Sequence, residues 1–340
     1  MTDIFFSDGT QSRRAALLAL AAAASGVACL PTAARAQQPP TPAFRPVRPV
    51  RIMSPQLAGG STDAVLRPLA QRLSALWGQP VLVDNRPGGG SVIATLAVVQ
   101  APADGHTLGL AINPLTINPS LRNDLPYDTL RDITPVTQIG STTVALVVHP
   151  SLGVSTLDGF IAHARAAPSS VAWASLGIGT GGHITGELLA RRAGIQLVHV
   201  PFSGSSGAYR ELLPGRVQAG FVVLDSALPH IEAGTLRLLA VTDPRRNSRY
   251  PAVPALEETF KGMAYDGIFG LIAPPALPPL LLQQLHADIT GVLALPEVRQ
   301  QLAHQAMDVL ASSPAEFALA IRREIAHWRT VVAESGAQVR

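Results

Sequence analysis

From Val50 onward the chain alternates short apolar runs with stretches of helical period, and no other feature restricts its fold as much. Strands are expected at Val50 to Met53, Pro80 to Val83 and Thr107 to Ala111, with helices at Asp63 to Trp77 and Val92 to Ala101 between them. Two strands follow, Ile133 to Ile139 and Val144 to His149. A second set then runs helix Thr156 to Ala166, strand Val171 to Ala174, helix Gly182 to Ala193, strand Gln196 to Val200, helix Ala208 to Leu213, strand Val217 to Val223, helix Ala227 to Ala233 and strand Leu236 to Val241. Gly194, Gly215 and Gly234 each stand just past a helix, where a left-handed residue closes the last turn. A strand at Ile268 to Ala273 and two helices, Pro278 to Leu295 and Pro314 to Glu334, complete the chain. Such a rhythm is that of parallel sheet with crossover helices, so the fold class is α/β, in two sets. Crossings near Val144 to Pro150 and Tyr265 to Ala273 permit one domain built from both chain ends and a second inserted between them.

The 340 residues, 47% of them apolar, suffice for a large core. A formal charge of +3 is spread without a basic stripe, which argues against a nucleic-acid partner. Before the alternation begins, Ser12-Arg13-Arg14, the apolar run AALLALAAAASGVACL and Ala34-Arg35-Ala36 have the order of an export signal, expected over residues 1–36. The route, general secretory or twin-arginine, stays open. Residues 37–47, rich in proline, read as a linker that exposes the mature amino terminus. Cys29 is the only cysteine and leaves with the signal, so the mature chain has no disulfide or thiolate chemistry.

Three glycine-rich turns carry the candidate chemistry. Leu57-Ala58-Gly59-Gly60-Ser61-Thr62-Asp63 follows a strand and opens a helix that Ser61 or Thr62 can cap. Unpaired first-turn amides make such a start a seat for a carboxylate, and valine at Gly59 or Gly60 should fill that seat. Gly177-Ile178-Gly179-Thr180-Gly181-Gly182-His183 repeats the device in the second set. It spells a dinucleotide fingerprint, yet Val198-His199-Val200-Pro201 supplies no acid for a ribose, so no cofactor is expected. Pro201-Phe202-Ser203-Gly204-Ser205-Ser206-Gly207 is the third; one residue too short for a nucleophile elbow, it argues against a hydrolase. The nine histidines form no H-x-x-x-H pair, so no metal site is expected. Asp225 reads equally as an N-cap.

In RPVRI (Arg48 to Ile52), AGGSTD (Ala58 to Asp63), GQPVLVDNRPGGGS (Gly78 to Ser91), APADGHTL (Ala101 to Leu108), INPSL (Ile117 to Leu121), VHVPFSGS (Val198 to Ser205), SALPHIEAGTLRLLAVT (Ser226 to Thr242) and GIFGLIAP (Gly267 to Pro274), the chain resembles the Bug-type receptors of tripartite tricarboxylate transporters. The resemblance implies a type II-like Venus-flytrap periplasmic-binding-protein fold of two α/β lobes joined by two crossing strands. The first lobe would hold 48–147 with 265–340 and the second 148–264. It implies a periplasmic, monomeric, non-enzymatic receptor that hands a small organic acid to integral-membrane transporter subunits. Carried onto this chain, the ligand contacts would be Leu57, Ala58, Gly59, Ser61, Thr62, Asp63, Asn113 and Thr116 from one lobe, with Gly179, Thr180, Gly181, His183, Pro201, Ser203, Ser205 and Asp225 from the other. The chain departs from the family pattern at Gln56 and Ala58 (usually Phe and Pro), at Pro114 and Leu115, at Gly181 (usually Ser) and at Val222 (often Asp), so the ligand stays open. An exported hydrolase or lyase, or a receptor that signals to a sensor kinase, is the alternative.

Overall fold

The computed structural model describes residues 44–337 apart from Ser248, Asp266 and Ala306; the expected export signal and the expected linker up to residue 43 lie outside the described residues. Helix α1 (Ser61–Trp77) shows why the segments fold as they do: Val65, Leu66, Leu69, Leu73 and Trp77 recur at helical spacing and are buried, and Gly78 in the left-handed region ends the run. Around it stand β1 (Val50–Ser54), β2 (Val81–Asn85), α2 (Val92–Val99), β3 (Thr107–Ile112), α3 (Pro114–Leu121) and β4 (Thr134–Thr142). The second set is β5 (Val144–Val148), α4 (Leu157–Ala166), β6 (Ala172–Ser175), α5 (Gly181–Ala193), β7 (Val198–Pro201), α6 (Ser205–Leu212), β8 (Ala219–Val223), α7 (Leu224–Glu232) and β9 (Arg237–Val241). Helix α8 (Leu256–Thr259) leads to β10 (Gly267–Ala273), α9 (Pro279–Leu293), α10 (Pro296–His304) and α11 (Pro314–Ser335).

The two five-stranded sheets repeat one plan. The first has the order β2-β1-β3-β10-β4 and the second β7-β6-β8-β5-β9. In each, three parallel strands are followed by one antiparallel strand, β10 against β3 and β5 against β8. Each inserted strand comes directly after a crossing of the chain, so the lobes exchange the chain twice, at Thr142–Val144 and between β9 and β10. At the crossings the two connections are tied together: Val144 N–H donates to Thr242 Oγ1 (3.0 Å), Thr242 N–H to the Val144 carbonyl (2.9 Å) and Tyr265 N–H to the Thr242 carbonyl (3.0 Å).

Several expectations shift. Residues 144–147 pair in the second sheet, because β5 finds β8 and β9 on its two edges. The linker ends earlier than residue 47: Phe44 is buried against Trp77, ring centroids 5.2 Å apart, because no surface site satisfies an aromatic ring as well. Helices α3 and α10 were not expected; each opens on a proline, which fits the first helical position where no N–H is needed. The end of α11 leaves the first lobe: Phe317 and Ile321 pack there, whereas Trp328, Val331 and Val332 join the core of Trp173, Phe160 and Leu188 in the second. Arg192 and Glu334 clamp that end with two 2.7 Å contacts.

Buried Asp288 on α9 holds the amino-terminal segment, accepting from the Phe44 amide (2.9 Å) and Trp77 Nε1 (2.8 Å). Asp288→Ala leaves two buried donors without this acceptor and is expected to cost about 2 kcal/mol, read as a lowered urea midpoint.

Candidate functional site

Four helices aim their first turns at one place between the lobes. The starts of α1 (Ser61, Thr62), α3 (Asn113, Pro114), α5 (Gly181, Gly182) and α7 (Asp225) line a chamber of about 60 Å³. All four follow strands of the two sheets, the position where open α/β sheets hold ligands. First-turn amides have no partner within their own helix and carry partial positive charge, so their convergence favours an anion. No Lys, Arg or His stands in the chamber lining among the described residues.

Three buried polar atoms in this lining have no hydrogen-bond partner: Gln56 Oε1, Thr62 Oγ1 and Asn113 Oδ1. Buried polar groups are nearly always satisfied, so three orphans in one chamber mark it as a place built to be filled. Beside Ser61, Thr142, Thr180, Asp225 and Gln305, much of the wall is apolar and includes Val65, Val144, Phe221, Val222, Phe269 and Met307. A larger outer cavity of about 460 Å³ shares Gln56, Ile112, Pro114, Leu176 and Thr180 with the chamber and forms its mouth, with Gly88–Gly90, Arg122, Pro201 and Ser203 around it. The lobes meet across the cleft, where the Ser61 amide donates to Ser205 Oγ at 3.2 Å.

The predicted residues therefore divide. Ser61, Thr62, Asn113, Thr180, Gly181 and Asp225 line the chamber; Thr180, Pro201 and Ser203 line the mouth; Ser205 ties the lobes. Leu57, Ala58 and Gly59 form an exposed loop beside both cavities and line neither. Asp63 is structural. It accepts from the Gly59 amide (2.8 Å), Asn85 (3.0 Å) and Arg67 (2.9 and 2.8 Å). Burial by itself would raise this carboxyl, but those donors outweigh it and hold it below the usual carboxylate range. The helix start is not capped by Ser61 or Thr62; its N-cap is Gly60, with both hydroxyl residues inside the first turn and free to face the chamber. Thr116 is fully buried and its hydroxyl donates to the Asn113 carbonyl, fixing the turn that presents Asn113.

On the other wall, Thr180 caps α5 through the His183 amide. Gly179 donates to His183 Nδ1 (3.2 Å), so His183 stands behind the loop and supports it. Its ring stacks on His199 at 4.6 Å, which stacks on Trp173 at 4.2 Å. Burial holds His183 down to about 4, and burial plus the neighbouring His183 holds His199 down to about 3, so both are neutral at pH 7. Ligand atoms of His183, Glu187 and His199 lie within 4.8 Å of one another, yet the rings are stacked 22° from parallel, and their in-plane lone pairs do not meet at one point. Asp225 is the one acid in the chamber lining; burial, with Asp243 adding to it, pushes its carboxyl up to about 7.

Sequence reasoning missed the apolar wall. Phe269 lies in the quoted GIFGLIAP segment and Val222 was noted only as a departure; Met307 gave no signal. Three consecutive glycines, Gly88 to Gly90, all at positive φ, were the signal for the mouth. The glycine test changes too. A Cβ at Gly60 would lie 3.1 Å from Ser205 Oγ, whereas one at Gly59 (φ +79°) meets nothing within 4 Å. Gly60→Val is therefore expected to weaken ligand capture by hindering closure, and Gly59→Val to lower stability by about 1–2 kcal/mol through backbone strain with capture kept. Calorimetric titration and melting of both variants separate the two effects.

Comparison with known proteins agrees with this geometry. Residues 65–337 match the tripartite tricarboxylate transporter family receptor. The chain is 35% identical to Protein BugT of Bordetella pertussis over 298 residues, 87% of this chain and 91% of that protein. Among solved structures, Rpa4515 of R. palustris with adipate matches with a TM-score of 0.81 at 30% identity, over 86% of this chain and 99% of that one. MatC from Rhodopseudomonas palustris with bound malate matches at 0.80 and 27% identity, over 84% and 99%. A family match over most of the chain and the two-lobed fold with its cleft lead to one conclusion: the chain belongs to the tripartite tricarboxylate transporter receptor family of periplasmic solute-binding proteins.

Proposed function

We propose that this receptor captures a small organic carboxylate in the inter-lobe chamber and hands it to integral-membrane transporter subunits. The observation that carries the reading is the convergence of four helix starts on one chamber between the lobes that holds three unpartnered buried polar atoms. Neutral donors and helix ends can seat an anion and release it again, which a transport receptor requires. The adipate and malate bound by the related structures support the same ligand class. Binding without catalysis is supported by the lining itself, where Asp225 is the only titratable side chain among the described residues.

In this reading residues 1–36 direct export and are removed, the receptor works as a monomer in the periplasm, and the lobes close over the ligand about the paired crossings. Melting of the protein with mono-, di- and tricarboxylates tests it, since a ligand at 100 times its Kd adds about 2.7 kcal/mol of stability. The ligand must also be recovered unchanged after denaturation; a converted ligand would mean an enzyme. Uptake by membranes that carry the partner subunits separates transport from signalling.

A further inference from the structure

The chamber is chemically lopsided. Its three unpartnered polar side chains, Gln56, Thr62 and Asn113, all belong to the first lobe. The second lobe answers mainly with Val144, Leu176, Phe221, Val222 and Val223; its polar lining is the Thr180 hydroxyl, already bonded to the Gly177 carbonyl, and the Gly181–Gly182 turn. The one charged group on that side is Asp225, an acid.

A ligand with two carboxylates needs two seats. The first lobe offers one, made of the α1 start and the Thr62 hydroxyl, while the unpartnered Gln56 and Asn113 amide oxygens beside it accept and call for a donor on the ligand. On the second lobe the α5 start is partly used, because the His183 amide is taken by Thr180 Oγ1. The α7 start holds Asp225 in its own first turn, so that helix end already has a carboxyl to neutralise its partial charge. Placing a second carboxylate beside Asp225 and the valines would bury like charges together without a cation, and such burial is strongly unfavourable. The chamber of about 60 Å³ favours a short ligand, whichever number of carboxylates it carries.

Resting on the carboxylate reading above, we infer that the ligand is a short monocarboxylate with an apolar tail, its carboxylate on the first lobe and its alkyl part against Val144, Phe221 and Val222 of the second. A second carboxylate is rejected by the second lobe, with Asp225 as the specificity-determining residue.

The test pairs acids of equal chain length, butyrate against succinate and hexanoate against adipate, titrated calorimetrically into the purified protein at pH 8. The expected result is a Kd at least ten times lower for the monocarboxylate of one pair or both, with the ratio cut at least threefold in Asp225→Asn. Equal or tighter binding of the dicarboxylates overturns the inference and leaves the carboxylate-receptor reading intact. An unchanged ratio in Asp225→Asn, with that variant melting normally, overturns the role of Asp225. Silence from all four acids overturns the carboxylate reading itself and this inference with it.

Discussion

Gly181→Ala is expected to raise the Kd for any captured ligand at least 100-fold while leaving the unliganded protein folded. The added Cβ would overlap the Tyr265 hydroxyl and lie 2.7 Å from Asn113 Nδ2. Neither neighbour can easily give way. Tyr265 is buried at the crossing, held through its amide by the Thr242 carbonyl and packed edge-on against Trp328 at 4.7 Å, and Asn113 is buried at the start of α3. Tyr265, which packs in the core of Trp173 and Leu188, and Asn113 of the other lobe must both shift to admit one methyl group. The two effects are read separately: the melting point without ligand falls with the buried overlap, and ligand-induced stabilisation disappears. Capture at wild-type strength would show that closure does not use this contact.

Asp225→Asn is expected to stabilise the protein by on the order of 3 kcal/mol at pH 8 and by almost nothing at pH 4. The sign follows from the raised carboxyl. Burial lifts it from 3.8 to about 7, so between those values the folded chain holds a proton that the unfolded chain has released. Stability is thus lost as pH rises through this window, and the whole deficit is present above about pH 7. Asparagine keeps the shape and removes the charge. The groups whose charge couples to this carboxyl are half-buried Asp243, which accepts from the Thr143 hydroxyl, and buried Tyr209, bonded to Ser226. His183 acts in the opposite direction, taking stability away as pH falls from 6.5 toward 4, but equally in both proteins, so their difference isolates Asp225. Urea unfolding of both at pH 4 and pH 8 gives the measurement; equal stabilities at pH 8 would mean that the folded carboxyl ionises as freely as the unfolded one. A destabilising acid kept in a binding chamber is the usual mark of a site shaped for function at the expense of stability.

How much of this was legible depended on how local each cause was. Both sheets announced themselves because a buried strand and its crossover helix each write their period into neighbouring residues. The α1 and α5 starts were equally visible, since glycines and small polar residues at a strand-to-helix turn act through their own amides. The hydrogen bonds that occupy Asp63 were hidden because its partner Asn85 is 22 residues away and only the folded β1–β2 pair brings them together. Phe44 looked like linker because its partners, Trp77, His106 and Asp288, lie far along the chain. The apolar wall was hidden for another reason: Val144, Phe221 and Phe269 lie on strands that read as ordinary core, and nothing local distinguishes a valine that faces a chamber from one that faces a helix.

The long closing helix α11 sets the mechanics of the receptor. One stiff rod has its first half seated in one jaw and the fully buried Trp328 seated in the other. A wide gape would pull that indole from its socket, a loss comparable with the roughly 3–5 kcal/mol of deleting a buried aromatic side chain. The jaws are left with a twist about the socket, a short stroke that exchanges solute through the glycine-lined mouth. A docking transporter must then distinguish loaded from empty by a small rotation of one rim against the other.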